Sequence, residues 1–302
     1  MWEMMRNAFE VATVQADTGP ATALVTEGRT WLLSDLDEAL TDVSVLELLG
    51  QWDRTLPRLQ GLADRVSAGR VGACTPLKEP RLLTPVRYPS KLLAVGANYV
   101  GHLREMGLEP TKWTPMPFFL RPPRTTLVGP GRTVPVPTGT QQFDWECELA
   151  VVLGRGLRNA TRAEAAAAVA GYTIGLDLTC RDLIKVDNEL HVDLMRGKAQ
   201  DCMAPCGPTI TPARFVEDVG DLRIQLSVNG EPMMDASTEE MLFAIDEQLS
   251  LISEVMTLEP GDILFTGSPA GSAGEHGGRW LRPGDTIHAR IGGLAPLDVT
   301  VF

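Results

Sequence analysis

No apolar run in this chain approaches the roughly 18 residues that a membrane-crossing helix needs. Positive charge is also in short supply: 27 Lys and Arg stand against 39 Asp and Glu, a net charge of −12. A protein with that field repels nucleic acid and anionic membrane surfaces, which argues against broad binding to either. An anionic substrate would have to be drawn in locally, by a cation or a metal. Cys74, Cys147, Cys180, Cys202 and Cys206 form an odd, dispersed set with no disulfide framework in it. Cys202 and Cys206 have no second Cys/His pair at zinc-site spacing, so the cysteines read as buried free thiols. Internal repeats and low-complexity segments are absent. Near the start, Glu3, Arg6, Asn7 and Glu10 are scattered among apolar residues, unlike the charged-then-apolar layout of a secretory leader. A cytoplasmic location is the default expectation.

What is present is ample material for a core, with 44% apolar residues in 302. That suits one large domain or a large domain with a smaller companion. Residues 8–33 alternate short apolar runs with breaks, as antiparallel strands and turns do. A helical stretch follows over 43–68, interrupted by Pro57. The four prolines of 74–89 mark an extended passage, and the domain boundary is placed near residue 85, giving domains 1–85 and 86–302. Beyond it strands dominate, at 91–96, 148–153 and Arg223–Val228, with a hairpin turn at Asn229-Gly230. Two P-G-D turns, at 260–262 and 283–285, each feed a short strand, as successive arms of one β-rich body. Thr161 and Glu164 have capping-box spacing, with Gly171 as the helix stop. Ser237 and Glu240 form a second such box, followed by Met241, Ile245, Leu249, Ile252 and Met256 along one helical face. The fold class is a mixed, β-rich α+β architecture.

Residues 144–154, DWECELAVVLG, are the most informative stretch. If the strand begins by Glu146, then Glu146 and Glu148 share a face, because side chains alternate with period two. Two adjacent acids ahead of buried residues need a counter-charge, which a divalent cation supplies; the alternative is a solvated edge strand. Asp177, ending the apolar run 171–176, is placed to complete a three-oxygen site. Oxygen donors without His or Cys favour Mg²⁺ or Mn²⁺ over Zn²⁺. His102 and Glu105 lie one helical turn apart, so the carboxylate could orient the imidazole as a base, or the two could form a surface ion pair. Lys198, beside Gly197, could stabilise an oxyanion or stand exposed. The glycines between 267 and 278 precede no helical pattern, which excludes a dinucleotide loop. His191, His276 and His288 have no partner at metal spacing.

In this order, Asn98-Tyr99…His102…Glu105, the D-W-E-C-E-L strand, Gly175-Leu176-Asp177…Arg181-Asp182, Gly197-Lys198…Asp201…Pro205-Cys206-Gly207-Pro208, Val228-Asn229-Gly230 and the block from Thr257 to Gly271 resemble the fumarylacetoacetate hydrolase superfamily over about residues 88–302. The resemblance implies a β-rich roll with a smaller N-terminal domain, usually assembled as a homodimer. It implies Glu146, Glu148 and Asp177 as ligands of Mg²⁺ or Mn²⁺, and His102, Glu105 and Lys198 as catalytic groups. Arg181 and the turn Thr266-Gly267-Ser268 would contact a small anionic dicarbonyl substrate; for Arg181 the alternative is a salt bridge to Asp182. Several positions depart from the pattern. Ile184 stands where some hydrolytic members carry Gln, Arg121 replaces a more usual Lys, and Ala199-Gln200 replace Ser-Phe. The reaction expected is hydrolytic C–C cleavage of an acylpyruvate-like acid through a metal-stabilised enolate. Oxaloacetate-type decarboxylation, or isomerisation of a dienoate ring-cleavage product, is the alternative on the same site.

Overall fold

The alternating pattern after residue 8 becomes a three-stranded meander, Phe9–Ala16, Gly19–Thr26 and Arg29–Leu32, in a computed structural model that describes residues 8–302. Glu3, Arg6 and Asn7, read above for a leader, lie outside the described residues. Glu27 and Gly28 both take positive φ, 51° and 70°, the two-residue turn whose twist matches the flanking strands. Val11 of the meander pairs with Ile210 of the strand Ala204–Pro212, so strands from both sides of residue 85 share one ten-stranded sheet. From that strand the order continues through Val169–Leu176, Cys147–Leu153, Ile263–Phe265, Leu92–Val95 and Phe118–Arg121. Residues 74–89 run alongside the meander, with a bridge between Leu82 and Val14.

A five-stranded sheet packs against the large one, in the order Glu231–Ser237, Arg223–Val228, Thr286–Ile291, Leu297–Val301 and Thr133–Val134. Leu149, Val151 and Leu153 join a core with Ile224, Leu226, Ile287 and Ile291 of that second sheet. Ala150 and Val152 point the other way, into a core with Leu48, Leu49, Trp52 and Leu59 of the N-terminal helices. Cys147–Leu153 is therefore buried on both faces, which explains its unbroken apolar run. This is the mixed, strand-dominated α+β architecture expected from the sequence. Among the described residues no helix is long and apolar enough to cross a membrane.

Several local expectations are corrected. The 43–68 helix breaks at Gly50 and Gln51, between Val45–Leu49 and Trp52–Ser67, while Pro57 sits inside the second helix. The Thr161/Glu164 capping box forms, but Arg162–Ala167 ends at Ala168 and the chain passes directly into Val169–Leu176. Gly171 is a strand residue; a Cβ there would lie 2.4 Å from the Thr211 carbonyl oxygen, so close strand packing rather than helix stopping requires it. Ser237 caps a single 3₁₀ turn, Thr238–Glu240, by accepting from Glu239 N–H. The helix that follows is Ile245–Val255, with Met241 and Met256 outside it. The two P-G-D turns feed different sheets, Ile263–Phe265 in the large one and Thr286–Ile291 in the small one. All five cysteines are free, but only Cys147, Cys180 and Cys206 are buried.

Candidate metal centre and active site

Sheet register builds the acid cluster. The strand begins at Cys147, one residue ahead of the expected 148–153 and one short of the Glu146 start on which the shared face was conditioned, yet Glu146 and Glu148 are brought together. On the neighbouring strand Gly175 lies opposite Glu148, and Asp177 N–H donates to the Glu146 carbonyl at 2.9 Å. Asp177 is thereby set across from Glu146. Gly175 is needed for this crossing, because a Cβ there would lie 2.5 Å from the Phe265 ring. Glu146, Glu148 and Asp177 are all buried, with candidate ligand atoms within 4.8 Å of one another. The solvated-edge alternative does not describe them.

Three hard oxygen donors held in such a cluster fit a divalent cation. Oxygen ligands roughly 2.1 Å from a common ion lie at most about 4.2 Å apart, so a small inward shift suffices. Cationic side chains meet the same carboxylates. Lys198 is buried, not exposed, and its Nζ donates to Glu146 Oε2 at 2.7 Å, Asp177 Oδ2 at 2.5 Å and Thr179 Oγ1 at 2.8 Å. Arg181 Nη2 lies 2.6 Å from Glu146 Oε1, while its Nε donates to Asp144 Oδ2 at 2.8 Å. It makes no pair with Asp182, which instead accepts from Thr140 and the Gln141 amide. Arg121 is buried with one guanidinium nitrogen against Asp177 and Nη2 donating to the Met203 carbonyl at 2.8 Å.

These charges shape the titration of the cluster. Burial pushes Glu146 up, but Lys198 and Arg181 outweigh it and hold its carboxyl below the ordinary glutamate value. Burial, and then the charge of Glu146, push Glu148 well above it. Burial also draws the Lys198 ammonium down, against the pull of Glu146. An acid pair whose titrations are driven apart in this way, with lysine and arginines beside it, is the electrostatic pattern of a functional site.

His102 and Glu105 come from the short helix Val100–Glu105, one turn apart as their spacing predicts. His102 is 7% exposed, too deep for a surface ion pair. Its Nδ1 lies 2.8 Å from Glu105 Oε2, and its Nε2 lies 4.0 Å from Glu146 Oε1. An ionised carboxylate only accepts, so Glu105 holds a ring proton at Nδ1 and leaves Nε2 as the ring nitrogen on the side of the cluster. Glu105 is fixed in turn by Gly271 N–H at 2.5 Å and Ser272 N–H at 3.2 Å. Burial raises its pKa, but His102 and these amides bring it below the ordinary glutamate value.

The turn at 266–268 also reaches the cluster. Gly267 N–H donates to Glu148 Oε2 at 2.6 Å. Thr266 spends its hydroxyl on the Leu149 carbonyl at 2.9 Å, and Ser268 directs its own at the Pro269 carbonyl at 3.3 Å. Asn98 latches the helix start to this turn, donating to the Thr266 carbonyl at 2.8 Å while its Oδ1 accepts from Phe243 N–H at 2.8 Å. Sequence reasoning did not place Asp144 or Arg121 in the site. Both left a trace, Asp144 by sharing the parity of Glu146 and Glu148, and Arg121 as the lone charge of the strand FFLR.

Comparison with known proteins adds to this geometry. Residues 91–302 match the family described as fumarylacetoacetate hydrolase C-terminal. A human mitochondrial oxaloacetate tautomerase is 34% identical over 233 residues, covering 74% of this chain and 73% of that protein. A fumarylacetoacetate hydrolase from Exiguobacterium antarcticum superposes with a TM-score of 0.80 at 30% identity, over 97% of this chain and 99% of the other. A fumarylpyruvate hydrolase from Pseudomonas aeruginosa, solved with Mn²⁺ and pyruvate, gives a TM-score of 0.64 at 31% identity, over 74% and 92% of the two chains.

Proposed function

The chain belongs to the fumarylacetoacetate hydrolase superfamily, and from that premise we propose that it is a metal-dependent hydrolase cleaving a C–C bond in a small acylpyruvate-like 1,3-dicarbonyl acid. The observation that carries this reading is the His102 ring, oriented through Nδ1 by Glu105 with Nε2 directed at the carboxylate cluster. Glu146, Glu148 and Asp177 would hold Mg²⁺ or Mn²⁺, which when bound supplies Lewis acidity toward the 2-oxo-carboxylate end. His102 Nε2 takes a proton from water, and the resulting hydroxide adds to the distal carbonyl carbon. Collapse of that adduct breaks the bond to the methylene carbon, leaving a carboxylic acid and a pyruvate enolate. The Lys198 ammonium faces the electron pair that the enolate carries. The imidazolium of His102 returns the proton to carbon, giving pyruvate. Arg181 and the Thr266-Gly267-Ser268 turn are assigned to the substrate's anionic end.

A second reading is tautomerisation or decarboxylation of oxaloacetate on the same residues. Its support is the 34% identity to a human oxaloacetate tautomerase and the presence of Ile184 where some hydrolytic members carry Gln. We also propose a homodimer; exposed Leu190, Val192 and Met195 offer an apolar surface for it, and light scattering would report the mass. To separate the two reactions, acylpyruvates and oxaloacetate should be assayed in one preparation with Mg²⁺ and Mn²⁺, for wild type and His102→Ala. Release of pyruvate from an acylpyruvate by wild type but not by the variant is expected. No acylpyruvate hydrolysis by wild type, with oxaloacetate turnover unaffected by His102→Ala, would move the assignment to the second reading.

A further inference from the structure

One buried carboxylate that the mechanism leaves unused touches both sides of the site. Asp144 is 1% exposed. Its Oδ2 accepts from Arg181 Nε at 2.8 Å, and Arg181 reaches on to Glu146. Its Oδ1 accepts from Trp145 N–H at 2.8 Å and from Ala273 N–H at 2.9 Å. Ala273 follows Gly271 and Ser272, whose amides hold Glu105. Trp145 Nε1 binds the same segment, donating to the Gly271 carbonyl at 2.9 Å. A path of hydrogen bonds thus runs from His102 through Glu105, the 271–273 segment and Asp144 to Arg181, and the Arg181–Glu146 ion pair completes it.

The middle of that path has little room to shift. Gly271 takes φ +110°, and a Cβ there would lie 2.5 Å from the Met233 carbonyl oxygen. Gly101, on the helix of His102, is pressed as closely, since its Cβ would lie 2.9 Å from that of Ala270. Asp144 therefore ties Arg181 to a segment already seated against its neighbours. Without it, two amides and the guanidinium Nε would lose a charged acceptor inside the protein, which is costly for buried donors.

Resting on the active-site reading above, we propose that Asp144 is a positioning residue that holds the His102–Glu105 pair and the Arg181 side of the carboxylate cluster in one frame. Its two oxygens do separable work. Asn at this position keeps an oxygen for the two amides but turns an N–H toward Arg181 Nε, so Asp144→Asn releases only Arg181. Asp144→Ala releases both.

The test uses the full-length protein and needs no turnover. Imidazole ¹⁵N spectra, with the His102 signal assigned by its loss in His102→Gln, report the ring tautomer. Calorimetry reports oxalate, a 2-oxo-acid enolate mimic, binding to Mn²⁺-loaded protein. Asp144→Asn should leave the Nδ1-protonated His102 signal in place and weaken oxalate about tenfold, the scale of one charge-assisted hydrogen bond. Asp144→Ala should shift the ring signal or split it between tautomers as well. Unchanged oxalate binding in Asp144→Asn would overturn the proposal, and so would an unchanged ring signal in Asp144→Ala. Should the Ala variant not fold, Asp144→Asn decides through the split between its two readouts, and loss of the ring signal there would also count against separable work. Failure of the functional reading appears elsewhere, as wild type that turns over no acylpyruvate while its ring signal still responds to Asp144→Ala.

Discussion

Glu146, Glu148 and Asp177 are carried at the mouths of two adjacent strands, whereas His102 and Glu105 sit on a six-residue helix anchored by a turn 166 residues further along the chain. The acid half is set by ladder pairing, with a strand behind it that is buried on both faces. The base half depends on Gly271 and Ser272 amides, the Asn98 latch and the close seat of Gly101. Sheet register is a stiff device, because slipping it by one residue would turn every side chain over. A short helix held by a few hydrogen bonds is easier to displace. The cluster should therefore survive damage to the base half better than the base half survives damage to its own supports.

The largest effect is expected from breaking the acid half. Glu148→Gln should lower Mn²⁺ affinity and activity together, with activity falling on the order of 10³-fold, since Lewis-acid stabilisation is worth several kcal/mol. Calorimetry and assay on the same sample check it; full activity with lost Mn²⁺ binding would separate the cation from the chemistry. Next comes His102→Ala, which should reduce C–C hydrolysis by at least about 10²-fold, the usual worth of a positioned base, while Mn²⁺ binding stays as in wild type. A parallel loss of Mn²⁺ binding would show that the two halves are not independent.

Arg181→Ala sharpens the comparison from the boundary between the halves. KM for an anionic 2-oxo acid should rise about tenfold with a smaller change in kcat, as for the loss of one charge-assisted hydrogen bond. An unchanged KM would confine Arg181 to its contacts with Asp144 and Glu146. The smallest effect is the one expected on stability, at Glu105→Gln, which keeps an acceptor for the Gly271 and Ser272 amides but removes the charge beside His102. It should cost at most about 1 kcal/mol of stability near neutral pH. The sign with pH follows from the lowered carboxyl. Stability from a depressed acid is present above the ordinary glutamate value of 4.5 and lost as pH falls through the lowered folded value. Denaturation curves of wild type and variant should thus run apart at neutral pH and converge in acid; a gap that widens in acid would contradict this.

The same contrast explains what could be read from the sequence. Period two puts Glu146 and Glu148 on one face, and the apolar run ending at Asp177 supplies the third acid. The His102–Glu105 spacing was equally readable, because one helical turn is local. Long-range partners were not. Nothing in the order of residues says that Arg181 passes over adjacent Asp182 to bind Asp144, or that Lys198 Nζ arrives between Glu146 and Asp177. Gly171 misled because a helix-stopping glycine and a glycine required by strand crowding look alike until Thr211 is seen across the sheet. Met241 stands at helical spacing from Ile245, yet the 3₁₀ turn has already ended at Glu240 and a bend at 242–243 separates Met241 from the helix.

Anomalous diffraction from Mn²⁺-soaked crystals would show whether a divalent cation held by the register-built acids faces the His102 ring. One manganese peak is expected roughly 2.1 Å from oxygens of Glu146, Glu148 and Asp177, with His102 Nε2 turned toward it. A well-ordered Mn²⁺-soaked crystal in which Lys198 Nζ still bridges Glu146 and Asp177, and no manganese peak lies among the three acids, would contradict it.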